Sequence, residues 1–334
     1  METLRKRAAI LKRIRDFFEE RGSLEVSTPA IVRSPGVDAH LDAIAVQLSG
    51  GPAGTPQNGW LRTSPEYHMK RLLAAGSGAI HQLAPAWRDG EKGELHEPEF
   101  TLLEWYRPGA DDSALMDETE ALVRDLASNF ADGVLSHQGT TCQAGQGAPA
   151  FERITFREAF ERHTGLDPIN DSTGRLGIAL RAGGVRVQRP ASREQLVDLL
   201  LAFVVQPRLG EQHPCFVTDW PVDRAALARV RPGRDADQAA SAARFELYAC
   251  GIELCNGYFE LSCAEEQRAR IESENKRRED LGKAPYPVDE DFLAALSSGL
   301  PDCAGNALGI DRLLMLLNHS ESLREVRSFL VDLS

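Results

Sequence analysis

Within the stretch 87–106, WRDGEKGELHEPEFTLLEWY, ionisable side chains crowd a short connection between two apolar runs. Arg88, Asp89, Glu91, Lys92, Glu94, His96, Glu97 and Glu99 all fall inside it. An ordinary hairpin closes with a short Gly or Asn turn, so this density of charge asks for a reason: a charged ligand, or simply a solvated loop tip. Guanidinium groups suit the former, being planar, permanently charged and able to grip an oxyanion with a bidentate fork. Arg88 lies in this stretch, and Arg312 sits in ALGIDRL at 307–313. A lone arginine on a strand ordinarily makes a surface ion pair, so the residues alone leave both readings open.

Something must hold these groups. Trp87 on one side and Phe100 to Tyr106 on the other read as the strands of a hairpin. The opening METLRKRAAILKRIRDFFEERG carries Leu4, Ile10, Ile14 and Phe17 at helical spacing, as an amphipathic helix packed on the protein. Leu24 and Val26 alternate with polar residues as in a short strand, and Pro29 and Pro35 then stop regular structure. Residues 58–75 read as a strand, GWLRTSP, followed by a helix, EYHMKRLLAAG, with Gly76 as C-cap. The Gly-, Ser-, Thr- and Gln-rich segment 133–150 reads as a mobile loop, and 151–205 as mostly helical. Strands return at 215–221 and 243–262. Strands joined without helical crossovers predict an α+β arrangement, an antiparallel sheet flanked by helices.

Composition sets bounds on function. The 334 residues are 42% apolar and carry a net charge of −12, so the chain as a whole repels phosphate backbones. No apolar run approaches bilayer-spanning length, and the N-terminus lacks the apolar core of a signal peptide. Six cysteines at 142, 215, 250, 255, 263 and 303 include no Cys-x-x-Cys. Reduced thiols in a cytoplasmic protein fit this pattern, with Cys250, Cys255 and Cys263 read as buried apolar side chains.

Three blocks line up: Pro29 after a helix and strand, Arg88 on the charged hairpin, and Arg312 in ALGIDRL. This order resembles motifs 1, 2 and 3 of the class II aminoacyl-tRNA synthetases. The wording SPEYHMKRLL, HEPEFTLLEWY, GIELCNGYFEL and GLPDCAGNALGIDRL is similar to the lysyl branch. Within that branch it resembles the elongation factor P–(R)-β-lysine ligases across essentially the whole chain. The resemblance implies one class II catalytic domain, residues 1–334, without an anticodon-binding domain, so that tRNA is a poor candidate substrate. It implies an ATP- and Mg2+-dependent ligase that activates (R)-β-lysine as its adenylate. The acyl group would then pass to the ε-amine of a lysine on elongation factor P, and motif 1 would form a homodimer interface. Two anionic proteins would meet in that transfer, so docking would need a local basic face.

The resemblance also assigns residues. Arg88 would hold the α-phosphate and the substrate carboxylate, with Asp89 and Gly90 beside it. Arg312 would cover one adenine face and reach the γ-phosphate, with Phe100 on the other face and His96 near the phosphates. Glu97, Leu254 and Gly309 would also meet the nucleotide, and Glu246 and Glu253 would hold magnesium. Glu66 and Glu260 would take the two amino groups, in a pocket shared with Ser64, Pro65, Tyr106, Asn256, Tyr258 and Ala307. Ser64 and Ala307 stand where lysyl-tRNA synthetases have Ala and Gly, a change toward β-lysine over lysine. Two positions depart from the family pattern. Arg88 is followed by Asp89-Gly90 in place of Arg-x-Glu, and Glu97 replaces an Asn. Gly90 could permit a bulge that brings Glu91 to the vacated carboxylate position. A lysyl-tRNA synthetase-like enzyme acylating tRNA or another amine, and a non-catalytic amino-acid-binding regulatory paralogue, are the alternatives.

Overall fold

The computed structural model describes residues 1–50, 55–186, 191–233 and 239–331. The chain divides into two compact units. One unit comprises Met1–Leu115, Tyr258–Met315 and Ser322–Ser334, the other Met116–Gly257 and Leu316–Glu321.

In the first unit the apolar runs around the charged stretch form antiparallel strands, Ile80–Trp87 and Glu99–Pro108. Their register sets Ile80 opposite Tyr106 and Trp87 opposite Glu99. Cys303–Gly309 pairs antiparallel with the second strand, placing Gly305 opposite Tyr106 and Ala307 opposite Glu104. Leu24–Glu25 pairs in parallel with the start of the first strand. The opening helix, Glu2–Glu19, buries Ile10, Ile14, Phe17 and Phe18. Phe18 stacks on His81 at 4.8 Å and tilts against Trp105 at 5.3 Å, which seats the helix on the strand face. Each such side chain, fully buried, contributes about 1.5–3 kcal/mol. Buried Arg62 closes the turn at Thr28-Pro29, donating to Thr28 O at 2.8 Å, Pro29 O at 3.2 Å and Pro85 O at 3.0 Å.

In the second unit the helix Asp112–Phe130, which starts in the first, is capped by Asp111 through Ala114 N at 2.9 Å. The segment 133–150, expected as a mobile loop, instead contains a hairpin, Val134–His137 with Thr140–Gln143. Gln138 and Gly139 both take positive φ, 45° and 78°. That is the conformation a two-residue hairpin turn requires, and Gly139 supplies it without strain. Leu135 and Cys142 are fully buried beneath the polar surface that suggested a loop. Of residues 151–205, Glu152–Thr155 is a strand, and helices follow at Phe156–Thr164, Thr173–Ala182 and Arg193–Leu200. Residues 187–190 of that stretch lie outside the described residues. The strands Cys215–Thr218, Arg244–Ala249 and Ile252–Phe259 complete this unit, Val217 lying opposite Glu246.

All six cysteines are free. Cys263 is exposed rather than buried, because it caps the helix Ala264–Asp280 instead of continuing a strand. Among the described residues no helix is long and apolar enough to cross a membrane.

Candidate active site

The helix Glu66–Ala74 begins immediately after Ser64-Pro65, which sets Glu66 at its N-terminal turn and Lys70 one turn on, on the same face. On the strand Glu99–Pro108, residues two apart share a face, so Glu104 and Tyr106 stand together. Ser64 Oγ donates to Glu104 Oε2 at 2.6 Å and Tyr106 OH to Glu104 Oε1 at 2.8 Å. Lys70 Nζ lies 2.6 Å from Glu260 Oε2 and also donates to Glu66 Oε1. Lys70 is 0% exposed and Glu260 1%. A Cβ at Gly305 would overlap both the Tyr106 ring and the Glu260 carboxylate, so only glycine fits between them.

Two acids, Glu66 and Glu260, thus share one ammonium, and a third, Glu104, stands beside them on two hydroxyls. Burial, reinforced by the Glu66 charge, pushes the Glu104 carboxyl up to about 7. Burial pushes Glu260 up to about 8 although Lys70 opposes the shift. Burial disfavours the charge on Lys70, yet Glu260 and Glu66 hold its pKa above the ordinary range. Of the expected substrate residues, Ser64, Glu66, Tyr106 and Glu260 come together here, and Ala307 lies opposite Glu104. Half-buried Tyr258 belongs to this unit, whereas Asn256 belongs to the other. Glu104 and Lys70 were missed by sequence reasoning. Their signals were present: Glu104 is two residues from Tyr106 on a strand, and Lys70 four from Glu66 on a helix.

The charged hairpin brings a second group of residues together. The Arg88 guanidinium lies over the Phe100 ring at 5.0 Å, and the Arg88 backbone N–H donates to Pro98 O at 2.9 Å. Gly90, at φ 76°, turns the chain so that Glu91 Oε1 reaches 3.5 Å from Arg88. Arg88 therefore has a carboxylate beside it. Asp89 N donates to Asp42 O at 2.6 Å. Arg312 stands 2.6 Å from His96 Nε2 and donates to Leu95 O at 3.2 Å. Gly309, opposite Leu102, ends the strand that leads into this arginine. Glu97 is buried and accepts from Val331 N at 3.3 Å, so the residue that departs from the family pattern faces the C-terminal segment. Asp311 was also missed: it accepts from Thr101 N at 2.9 Å and pairs with Arg7 at 2.6 Å, fixing the residue before Arg312 against the hairpin.

In the other unit Glu246 is buried, 2.5 Å from Arg244, and accepts from Tyr248 OH. Burial, then the Glu253 charge, pushes its carboxyl up to about 7. Two mutually repelling carboxylates are hard oxygen donors of the kind Mg2+ takes together with substrate phosphates. No group of three or more His, Cys, Asp or Glu that could hold a metal occurs among the described residues. Leu254 is buried, and Asn256 Oδ1 is buried without a hydrogen-bond partner.

Residues 1–332 match the family described as class II tRNA synthetases (D, K and N). The elongation factor P–(R)-β-lysine ligase of Vibrio vulnificus is 41% identical over 331 residues, 98% of this chain and 95% of its own length. The ligase of the same name from Erwinia tasmaniensis is also 41% identical over 331 residues, with the same shares covered.

Proposed function

We propose, for a chain that belongs to the class II tRNA synthetases (D, K and N), that it is a ligase acting on elongation factor P with (R)-β-lysine. The observation that carries the reading is a cluster of acids beside one ammonium: buried Glu260 and partly exposed Glu66 both contact Lys70, and buried Glu104 stands next to them on Ser64 and Tyr106. A diamine supplies the cations that this set lacks. Glu66 and Glu260 take the two amino groups, while Glu104 orients Ser64 and Tyr106 around them.

In the first step a substrate carboxylate oxygen attacks the α-phosphorus of ATP, and pyrophosphate leaves. Arg88 holds the carboxylate and the α-phosphate, with Glu91 fixing the guanidinium. Arg312 and Phe100 hold the adenine between them, and His96 lies beside the phosphates. Positioning and charge neutralisation carry such chemistry without a covalent nucleophile. Glu246 and Glu253 would hold Mg2+, whose contribution is to neutralise phosphoryl charge. In the second step the acceptor ε-amine attacks the acyl carbon, AMP leaves and the amine loses its proton. An amide results.

We further infer a cytoplasmic homodimer paired through the motif 1 region. Support comes from Leu24, on an edge strand yet 59% exposed, and from exposed Ile31 and Leu48. The test is to incubate the protein with ATP, (R)-β-lysine and elongation factor P and weigh the acceptor. Gain of one β-lysyl residue on a lysine is expected, faster than with α-lysine. An unchanged acceptor, or charging of tRNA in its place, would refute the reading.

A further inference from the structure

The C-terminal segment touches both halves of the nucleotide clamp. Arg327 NH1 donates to the backbone carbonyl of Glu99, and NH2 lies 3.6 Å from Glu99 Oε1. The same guanidinium is 3.7 Å from Asp311 Oδ2. Glu99 immediately precedes Phe100, and Asp311 immediately precedes Arg312. Arg327 therefore joins the two residues whose chain neighbours would enclose the adenine. Four residues further, Val331 N donates to buried Glu97, where the family pattern has an Asn. The guanidinium is 13% exposed and Asp311 4%, so that pairing is little screened by solvent, whereas the Glu99 carboxylate is 46% exposed and its pairing is screened.

We propose that Arg327 is a positioning residue that sets the spacing between the hairpin and the motif 3 helix, and thereby the affinity for ATP. One hydrogen bond from a rigid fork to the Glu99 carbonyl, with two carboxylates at ion-pair distance from the same guanidinium, fixes distance and orientation together. Thr101 N and Arg7 share Asp311 with it, so the helix start is held from three directions. Loss of Arg327 leaves the hairpin base free to drift from Arg312, while the acid cluster around Lys70 keeps all its partners. Nucleotide binding should suffer and amino-acid binding should not. The inference rests on the adenylation reading above.

The test compares Arg327→Ala, Arg327→Lys and a control, Arg324→Ala, an exposed residue of the same segment. The Kd for ATP is expected to rise about tenfold in Arg327→Ala, the factor corresponding to one charge-assisted hydrogen bond. Arg327→Lys, which keeps the charge without the fork, recovers part of that loss. The KM for β-lysine and the thermal midpoint stay near wild type, as does the control. Amide hydrogen exchange supplies a readout independent of catalysis, rising in Arg327→Ala at 99–101 and 310–312 but not across 66–74. Unchanged ATP affinity overturns the proposal. So does a parallel rise in both constants with a lowered midpoint, which would mark a merely structural role. If the wild type makes no adenylate while the exchange pattern holds, the adenylation reading fails and the positioning role stands.

Discussion

Binding of a diamine should release protons, and the structure sets how many. In the free protein Glu260 and Glu104 sit near 8 and 7. Burial thus keeps a share of both acids protonated at neutral pH. A cationic ligand favours their ionised forms, lowers both values and expels roughly one proton on binding. The sign follows: raised carboxyl pKa values mean that affinity increases with pH until both acids ionise unaided, near pH 8. Between pH 6 and 8 the dissociation constant should fall on the order of a hundredfold. The same shifts make these acids stabilise the free fold below their unfolded value. That contribution is lost as pH rises through about 7 to 8, and ligand should offset the loss. Isothermal titration of β-lysine in two buffers of different ionisation enthalpy counts the protons directly. As a comparison, 6-aminohexanoate, which lacks one amine, should release fewer and bind more weakly. Buffer-independent heats, or affinity that falls with pH over this range, would refute the assignment of the cluster to a diamine.

Other substitutions separate the two halves of the site. Glu260→Gln takes one acid from the fully buried Lys70, so the unfolding free energy should drop. Its KM for β-lysine should rise while ATP affinity, measured by calorimetry, stays constant. Gly305→Ala places a methyl group against Tyr106 and Glu260 and should abolish amino-acid binding in the same titration. Gly90→Ala meets no neighbouring atom but sits at φ 76°. It should cost about 1–2 kcal/mol in chemical denaturation and weaken ATP binding by displacing Glu91 from Arg88.

Local patterns were legible where chemistry and periodicity coincide. The alternation through Phe100 to Tyr106 marked a strand, and the stripe Ile10, Ile14, Phe17 marked the first helix. The same two periods also placed Glu104 beside Tyr106 and Lys70 beside Glu66, though neither was read as part of the site. The hairpin at 134–143 was hidden because its signal lies in two positive φ angles and in the burial of Leu135 and Cys142, not in composition. Glu97 faces the C-terminal segment because its partner is a backbone amide more than two hundred residues away. Arg7, Asp311 and Arg327 are likewise joined only by the fold, and no local spacing announces such pairs.

The most direct measurement is amino-acid-dependent exchange of labelled pyrophosphate into ATP by the purified protein. Exchange should require a diamino acid, favour (R)-β-lysine over α-lysine, and vanish in Arg88→Ala and Arg312→Ala. Absence of exchange with either amino acid, or exchange that survives loss of both guanidinium groups, would contradict the account.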